Sequence, residues 1–133
     1  MEYLTDTHPL VWSLFAQNRL SMRVRDIFDR AELGEHMITV PAIVIAEAIM
    51  VVEKRRVTGT VPELLQGLAL LQANGNYRFL TLLPETVISS HALTALPDIF
   101  DRLVVADAQH LGVPLITRDT AIHASGLVDV VWN

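Results

Sequence analysis

Short strand-like segments alternate with helix-like ones along the whole sequence, and this alternation restricts the fold more than any other feature. Glu2 to Asp6 reads as a strand, and His8 to Ala16 then places Leu10, Val11, Leu14 and Phe15 at helical spacing. Ser21 is a favoured N-cap for a helix reaching about Leu33. Met37 to Val40 forms the next strand, and Pro41 suits the first turn of a helix to about Arg56. Pro62 opens a helix through Ala73, Phe79 to Leu83 is a strand, and Pro84 starts a helix ending near Ala95. Ile99 to Leu111 is a helix closed by Gly112 as its left-handed cap, and Val113 to Thr117 and Val128 to Trp132 are the last strands. Strands separated by helices imply an α/β fold with a five-stranded, mostly parallel sheet flanked by helices, here as one domain over residues 1–133. Chemistry on such sheets lies beyond the carboxyl ends of the strands.

Composition narrows the chemistry. With 51% hydrophobic and 19% charged residues the chain is too apolar for disorder, and none of its apolar runs has the uncharged length of a membrane helix. No cysteine is present, so disulfides, thiolate zinc sites and cysteine nucleophiles are excluded, and any metal must be bound through oxygen or histidine nitrogen. Met1-Glu2 leads directly into a strand-like segment without the basic and apolar regions of a signal peptide, so the cytoplasm is the expected compartment. A net charge of −5 argues against a broad phosphate-gripping surface and leaves room for local basic patches.

Four acids stand out. Asp6 ends the first strand and Asp119 follows the fourth, so both face the reactive rim, although either also serves as a helix cap. Glu47 has Ile43, Val44, Met50 and Val51 as its helical neighbours, and a glutamate on such an apolar stripe must be salt-bridged, protonated or bound to a cation. Asp101 opens a helix behind the capping candidate Asp98, where the helix dipole favours an acid without any catalytic purpose. Asp107 lies about 120° around that helix from Asp101, which places it in a secondary, supporting tier. Carboxylates that converge repel one another unless a hard divalent cation neutralises them, so this set points to Mg2+ or Mn2+ and to phosphodiester hydrolysis.

The order of motifs resembles a PIN domain, and within that family the VapC-type toxin ribonucleases. The matching pieces are Tyr3-Leu4-Thr5-Asp6-Thr7-His8 with Leu10 and Trp12, Ala46-Glu47-Ala48, and Asp98-Ile99-Phe100-Asp101-Arg102-Leu103 with Ala106. Gly112-Val113-Pro114-Leu115-Ile116-Thr117-Arg118-Asp119 and the terminal Val131-Trp132 complete the set, which spans nearly the whole chain. The resemblance implies a five-stranded parallel sheet between helices. It also implies that the four acids at Asp6, Glu47, Asp101 and Asp119 hold a divalent ion for RNA cleavage and that the Thr117 hydroxyl supports them. Two departures are the short segment between Leu96-Pro97 and Asp98, and Asp107 where relatives carry an uncharged polar residue.

The expected activity is therefore a metal-dependent endoribonuclease. Asp6, Asp101 and Asp119 would hold Mg2+ or Mn2+, and Glu47 would support a second ion or position the attacking water. RNA is preferred to DNA on the resemblance alone. A catalytically silent PIN-like interaction module is the alternative. His36, His91, His110 and His123 share no metal-ligand spacing, His8 reads as a surface or capping residue, and Trp12 and Trp132 read as packing residues. Lys54-Arg55-Arg56, the only basic run, is either a solvated helix end or a guide for the RNA backbone, with Arg23, Arg25, Arg102 and Arg118 as possible helpers. The resemblance further implies a cognate antitoxin over the active site. Apolar positions Val11, Leu14, Phe15, Val51 and Val52 either form a groove for a partner helix or a homodimer face, or simply fill the core.

Overall fold

In the computed structural model, which describes residues 1–133, β1 (Glu2–Thr5) leads into α1 (Thr7–Phe15), a 3-10 turn at Gln17–Arg19 and α2 (Met22–Glu32). Then come β2 (Met37–Pro41), α3 (Ala42–Glu53), α4 (Val61–Ala73), β3 (Tyr77–Leu80), α5 (Pro84–Ser90), α6 (Ile99–Leu111), β4 (Leu115–Ile116), α7 (Thr120–Ser125) and β5 (Val130–Val131). The sheet order is β3-β2-β1-β4-β5, and every neighbouring pair is parallel. From β1 the chain moves outward through β2 to β3, then returns to the other side of β1 for β4 and β5. The reversal lies between β1 and β4, where connections leave in opposite directions and open a crevice at the carboxyl edge.

Local chemistry explains most boundaries. Ser21 Oγ accepts the Val24 N–H at 3.1 Å, and the same hydroxyl donates to the Trp132 carbonyl, tying α2 to the end of the chain. Thr60 and Glu63 form a capping box at the start of α4, which begins at Val61, one residue earlier than Pro62 alone indicates. Gly112 closes α6 at φ 66°, a left-handed conformation that glycine adopts without Cβ strain. Gly59 is required for another reason: a Cβ there would stand 2.6 Å from the Phe15 ring.

Several sequence expectations need correction. The last two strands are two residues each, not five, because the ladder is limited to Leu115 and Ile116 against Val130 and Val131. The third strand begins at Tyr77, set by the register of Ile38 against Tyr77, and ends at Leu80. The helix from Pro84 stops at Ser90, whose hydroxyl bonds back to the Val87 carbonyl at 2.6 Å, and α7 was not foreseen. Of the two readings of the apolar positions on α1 and α3, core filling is the one the structure favours. Val11 and Val52 belong to the core, while Leu14, Phe15 and Val51 pack against it. Their role is to hold α1 and α3 on the sheet.

Candidate metal centre

Asp6 follows β1 directly and caps α1 by accepting the Thr7 N–H at 2.8 Å, so the last strand residue and the first helical turn together fix its carboxyl. Its other oxygen, Oδ2, accepts a hydrogen bond from Thr117 Oγ1 at 2.7 Å. The same Thr117 oxygen accepts the Asp119 N–H at 3.0 Å, and Asp119 Oδ1 caps α7 at the Ile122 N–H, 2.9 Å away. One buried hydroxyl thus sets the spacing of two acids across the β1/β4 crevice. The capping reading of Asp6 and Asp119 is realised, each acid using one oxygen as the cap.

Glu47 reaches the crevice from α3. Its Oε1 accepts a hydrogen bond from Thr7 Oγ1 at 3.0 Å, across forty positions of sequence. Asp101 comes from the first turn of α6, behind Asp98, which caps that helix at the Phe100 N–H, 2.8 Å away. A cavity of about 490 Å³ is lined by Asp6, Glu47, Asp98, Asp101 and Asp119, with Thr7, His8, Trp12 and Arg118 among its other walls. Asp98 enters this wall unforeseen, since its capping pattern gave an adequate local reason for an acid there. His8 and Trp12 also line the cavity although packing and surface roles were expected of them.

The electrostatics follow from this crowding. Burial pushes the Asp101 carboxyl up to about 7, and the neighbouring charges of Asp119, Asp6, Asp98 and Glu47 push the same way. Burial raises Asp6 as well, opposed by the hydrogen bonds from Thr117 and Thr7. Glu47 is raised by burial against its Thr7 bond, with Asp6 and Asp98 adding to the rise. The ion pairs of the fold are Arg30 with Asp26 and Glu35, and Arg78 with Glu2, so none of the crevice acids has a salt-bridge partner. Arg118 borders the cavity but sits over the Trp12 ring, 5.8 Å from its centroid.

An all-oxygen donor set without a salt-bridge partner suits a hard divalent cation in chemistry. In geometry no three acidic or histidine side chains stand as a finished ligand set; the Asp6 carboxylate is held by the Thr7 N–H and the Thr117 hydroxyl, and that of Asp119 by the Ile122 N–H. Asp107 is not part of this arrangement. It is 4% exposed on another face of α6, its Oδ2 has no hydrogen-bond partner, and burial pushes it up to about 6. Lys54, Arg55 and Arg56 also lie outside the cavity wall, and Arg102 is occupied with the Leu96 carbonyl at 2.5 Å.

Comparison with known proteins gives the family. The PIN domain model matches residues 3–125. No curated protein matches the chain. Among solved structures the chain is similar to VapBC2 from Rickettsia felis bound to a promoter DNA fragment, at 15% identity and TM-score 0.71 over 100% of both chains. It is similar to the sarcin-ricin loop cleaving toxin VapC20 of Mycobacterium tuberculosis, at 14% identity and TM-score 0.69 over 98% of this chain and 99% of the other. FitAcB from Neisseria gonorrhoeae matches at 19% identity and TM-score 0.66, covering 98% and 96%. At these identities the structures attest the fold, and they agree with the family match along almost its whole length. With its parallel sheet in the order β3-β2-β1-β4-β5 and its acids gathered at the switch point, the chain belongs to the PIN domain family.

Proposed function

We propose that this protein is a metal-dependent endoribonuclease and the toxin of a toxin-antitoxin pair. The observation that carries the reading is the convergence of Asp6, Glu47, Asp101 and Asp119 on one crevice, none of them in a salt bridge. Such an arrangement costs folding stability, and a purely structural role leaves that cost unexplained. Asp6, Asp101 and Asp119 would hold Mg2+ or Mn2+. When bound, the ion neutralises the acids and polarises a phosphoryl oxygen. Glu47, held by the Thr7 hydroxyl, would support a second ion or position the attacking water. Thr117 holds Asp6 and Asp119 in register.

RNA as substrate, and an antitoxin as partner, are favoured by the toxin and complex structures among the neighbours. The same crevice suits an arginine offered by a partner, which carboxylates accept in bidentate fashion. No helix is long and apolar enough to cross a membrane, and the cytoplasm is the proposed compartment. For a homodimer, Leu83, Val87, Ile88 and Ile99 are the apolar residues left exposed around α5 and the start of α6. Incubation of purified protein with a generic RNA, with and without Mn2+, tests the activity. Cleavage that needs Mn2+ and disappears in Asp6→Asn is expected; equal, absent cleavage in both proteins would leave a silent interaction module. Copurification with a co-encoded protein and light-scattering mass test the partner and the dimer.

A further inference from the structure

The ten basic residues are not all accounted for by the fold. Arg30 and Arg78 are in ion pairs, Arg23 donates to the Asn133 carbonyl, Arg102 donates to the Leu96 carbonyl, and Arg118 borders the acidic crevice. Arg19, Arg55 and Arg56 instead line a second cavity of about 350 Å³, with Asn18 and Thr58 as polar walls and no carboxylate among its residues. None of the three has a salt-bridge partner. In a chain of net charge −5, three uncompensated arginines on one concavity form a local positive field that attracts an anion.

Two further observations make this more than a solvated helix end. Arg55 follows Lys54, the cap residue of α3, and has φ 56°, the left-handed conformation that normally goes to glycine at a helix end. The Arg55 N–H bonds to the Val52 carbonyl at 3.0 Å and the Arg56 N–H to the Val51 carbonyl at 3.2 Å, so the helix terminus is closed while carrying a side chain that strains it. Arg19 is linked to the acidic crevice through Trp12, which lines that crevice. The Arg19 and Arg118 guanidiniums each stand 5.8 Å from the Trp12 ring centroid. Trp12 itself is 7% exposed, so it serves as a platform for the two cations rather than for a base.

We propose that the cavity of Arg19, Arg55 and Arg56 is a backbone-phosphate subsite for a single strand of RNA, reached from the carboxylate crevice past Arg118 and Trp12. This rests on the ribonuclease reading and extends it. Guanidiniums match phosphate by paired hydrogen bonds, and a basic track beside an acidic centre lets a polyanion approach carboxylates that would otherwise repel it.

The test is fluorescence anisotropy in EDTA, where no divalent ion supports cleavage, with a labelled oligouridylate of about twelve nucleotides at several salt concentrations. Replacing Arg19, Arg55 and Arg56 together by Ala is expected to weaken binding roughly tenfold at low salt and to reduce the salt slope by about 2. Arg30→Ala, which removes an ion-paired surface charge, serves as the control with wild-type binding. Arg55→Gly separates contact from folding: binding falls while the melting temperature stays at or above wild type, because glycine takes the left-handed position freely. Wild-type affinity and salt slope in the triple variant overturn the proposal. So does a triple variant that loses only polyglutamate binding, which would mark an acidic protein partner. Mn2+-dependent RNA cleavage by the wild type is scored separately. Its absence with oligonucleotide binding lost in the variants removes the ribonuclease reading and leaves the subsite standing.

Discussion

Asp101→Asn removes one of the crowded carboxylates while keeping the side chain's shape, and its effect on stability can be worked from the crevice. The folded protein raises this carboxyl from 3.8 to about 7, by burial first and then by Asp119, Asp6, Asp98 and Glu47. The folded state therefore holds a proton that the unfolded chain releases, so stability falls as pH rises from about 4 to about 7 and the penalty is complete above that range. About three pKa units correspond to about 4 kcal/mol, and solvent access to the half-buried crevice reduces the realistic figure to about 1–2 kcal/mol. Asn carries no charge, so without metal the variant is expected to melt about 3–8 °C higher than wild type at pH 8, and at nearly the same temperature below pH 4. With Mn2+ the order reverses, because wild type gains ligand stabilisation that the variant loses. Thermal melts by circular dichroism across this pH range, in EDTA and in Mn2+, make the comparison. A variant no more stable than wild type at pH 8 in EDTA, with an unchanged Mn2+ shift, would refute the reasoning that these carboxylates repel one another and await an ion.

Other perturbations address single contacts. Thr117→Val leaves Asp6 with only its Thr7 N–H bond, and Mn2+-dependent RNA cleavage is expected to fall about 10–100-fold while Thr117→Ser restores it; equal rates for Val and Ser would exclude the bridging role. Asp107→Asn is expected to stabilise the fold by about 1 kcal/mol at pH 8 and to flatten the loss of stability between about pH 4 and 6, as measured by urea unfolding. The buried charge costs up to about 3 kcal/mol, and the amide's unmade hydrogen bonds take back part of the gain. Gly59→Ala places a methyl group 2.6 Å from the Phe15 ring and should lower unfolding free energy by about 1–3 kcal/mol, read from the denaturant midpoint.

What the amino-acid order determined by itself is whatever depends on neighbours a few positions apart. Ser21, Asp98 and Gly112 cap helices as their types require, because the bonds they make reach only to nearby backbone groups. The strand-helix alternation likewise sufficed for a parallel α/β sheet, and the motifs around Asp6, Glu47, Asp101 and Asp119 sufficed to single out those acids. Strand length was not legible at Val113 to Thr117 or Val128 to Trp132, since a parallel ladder extends only as far as its partner does. Nor was the wall of the crevice. The Thr7 bond to Glu47 and the Thr117 bond to Asp6 join residues 40 and 111 positions apart, and Asp98 became a crevice residue only through where α6 docks. Asp107 shows the converse, because a turn of one helix can separate an acid from a neighbouring cluster that composition alone would include. The arginine cavity is decided entirely by packing: Arg19 and Arg55 belong to different segments, and only the seating of α1 against α3 makes one concave surface of them.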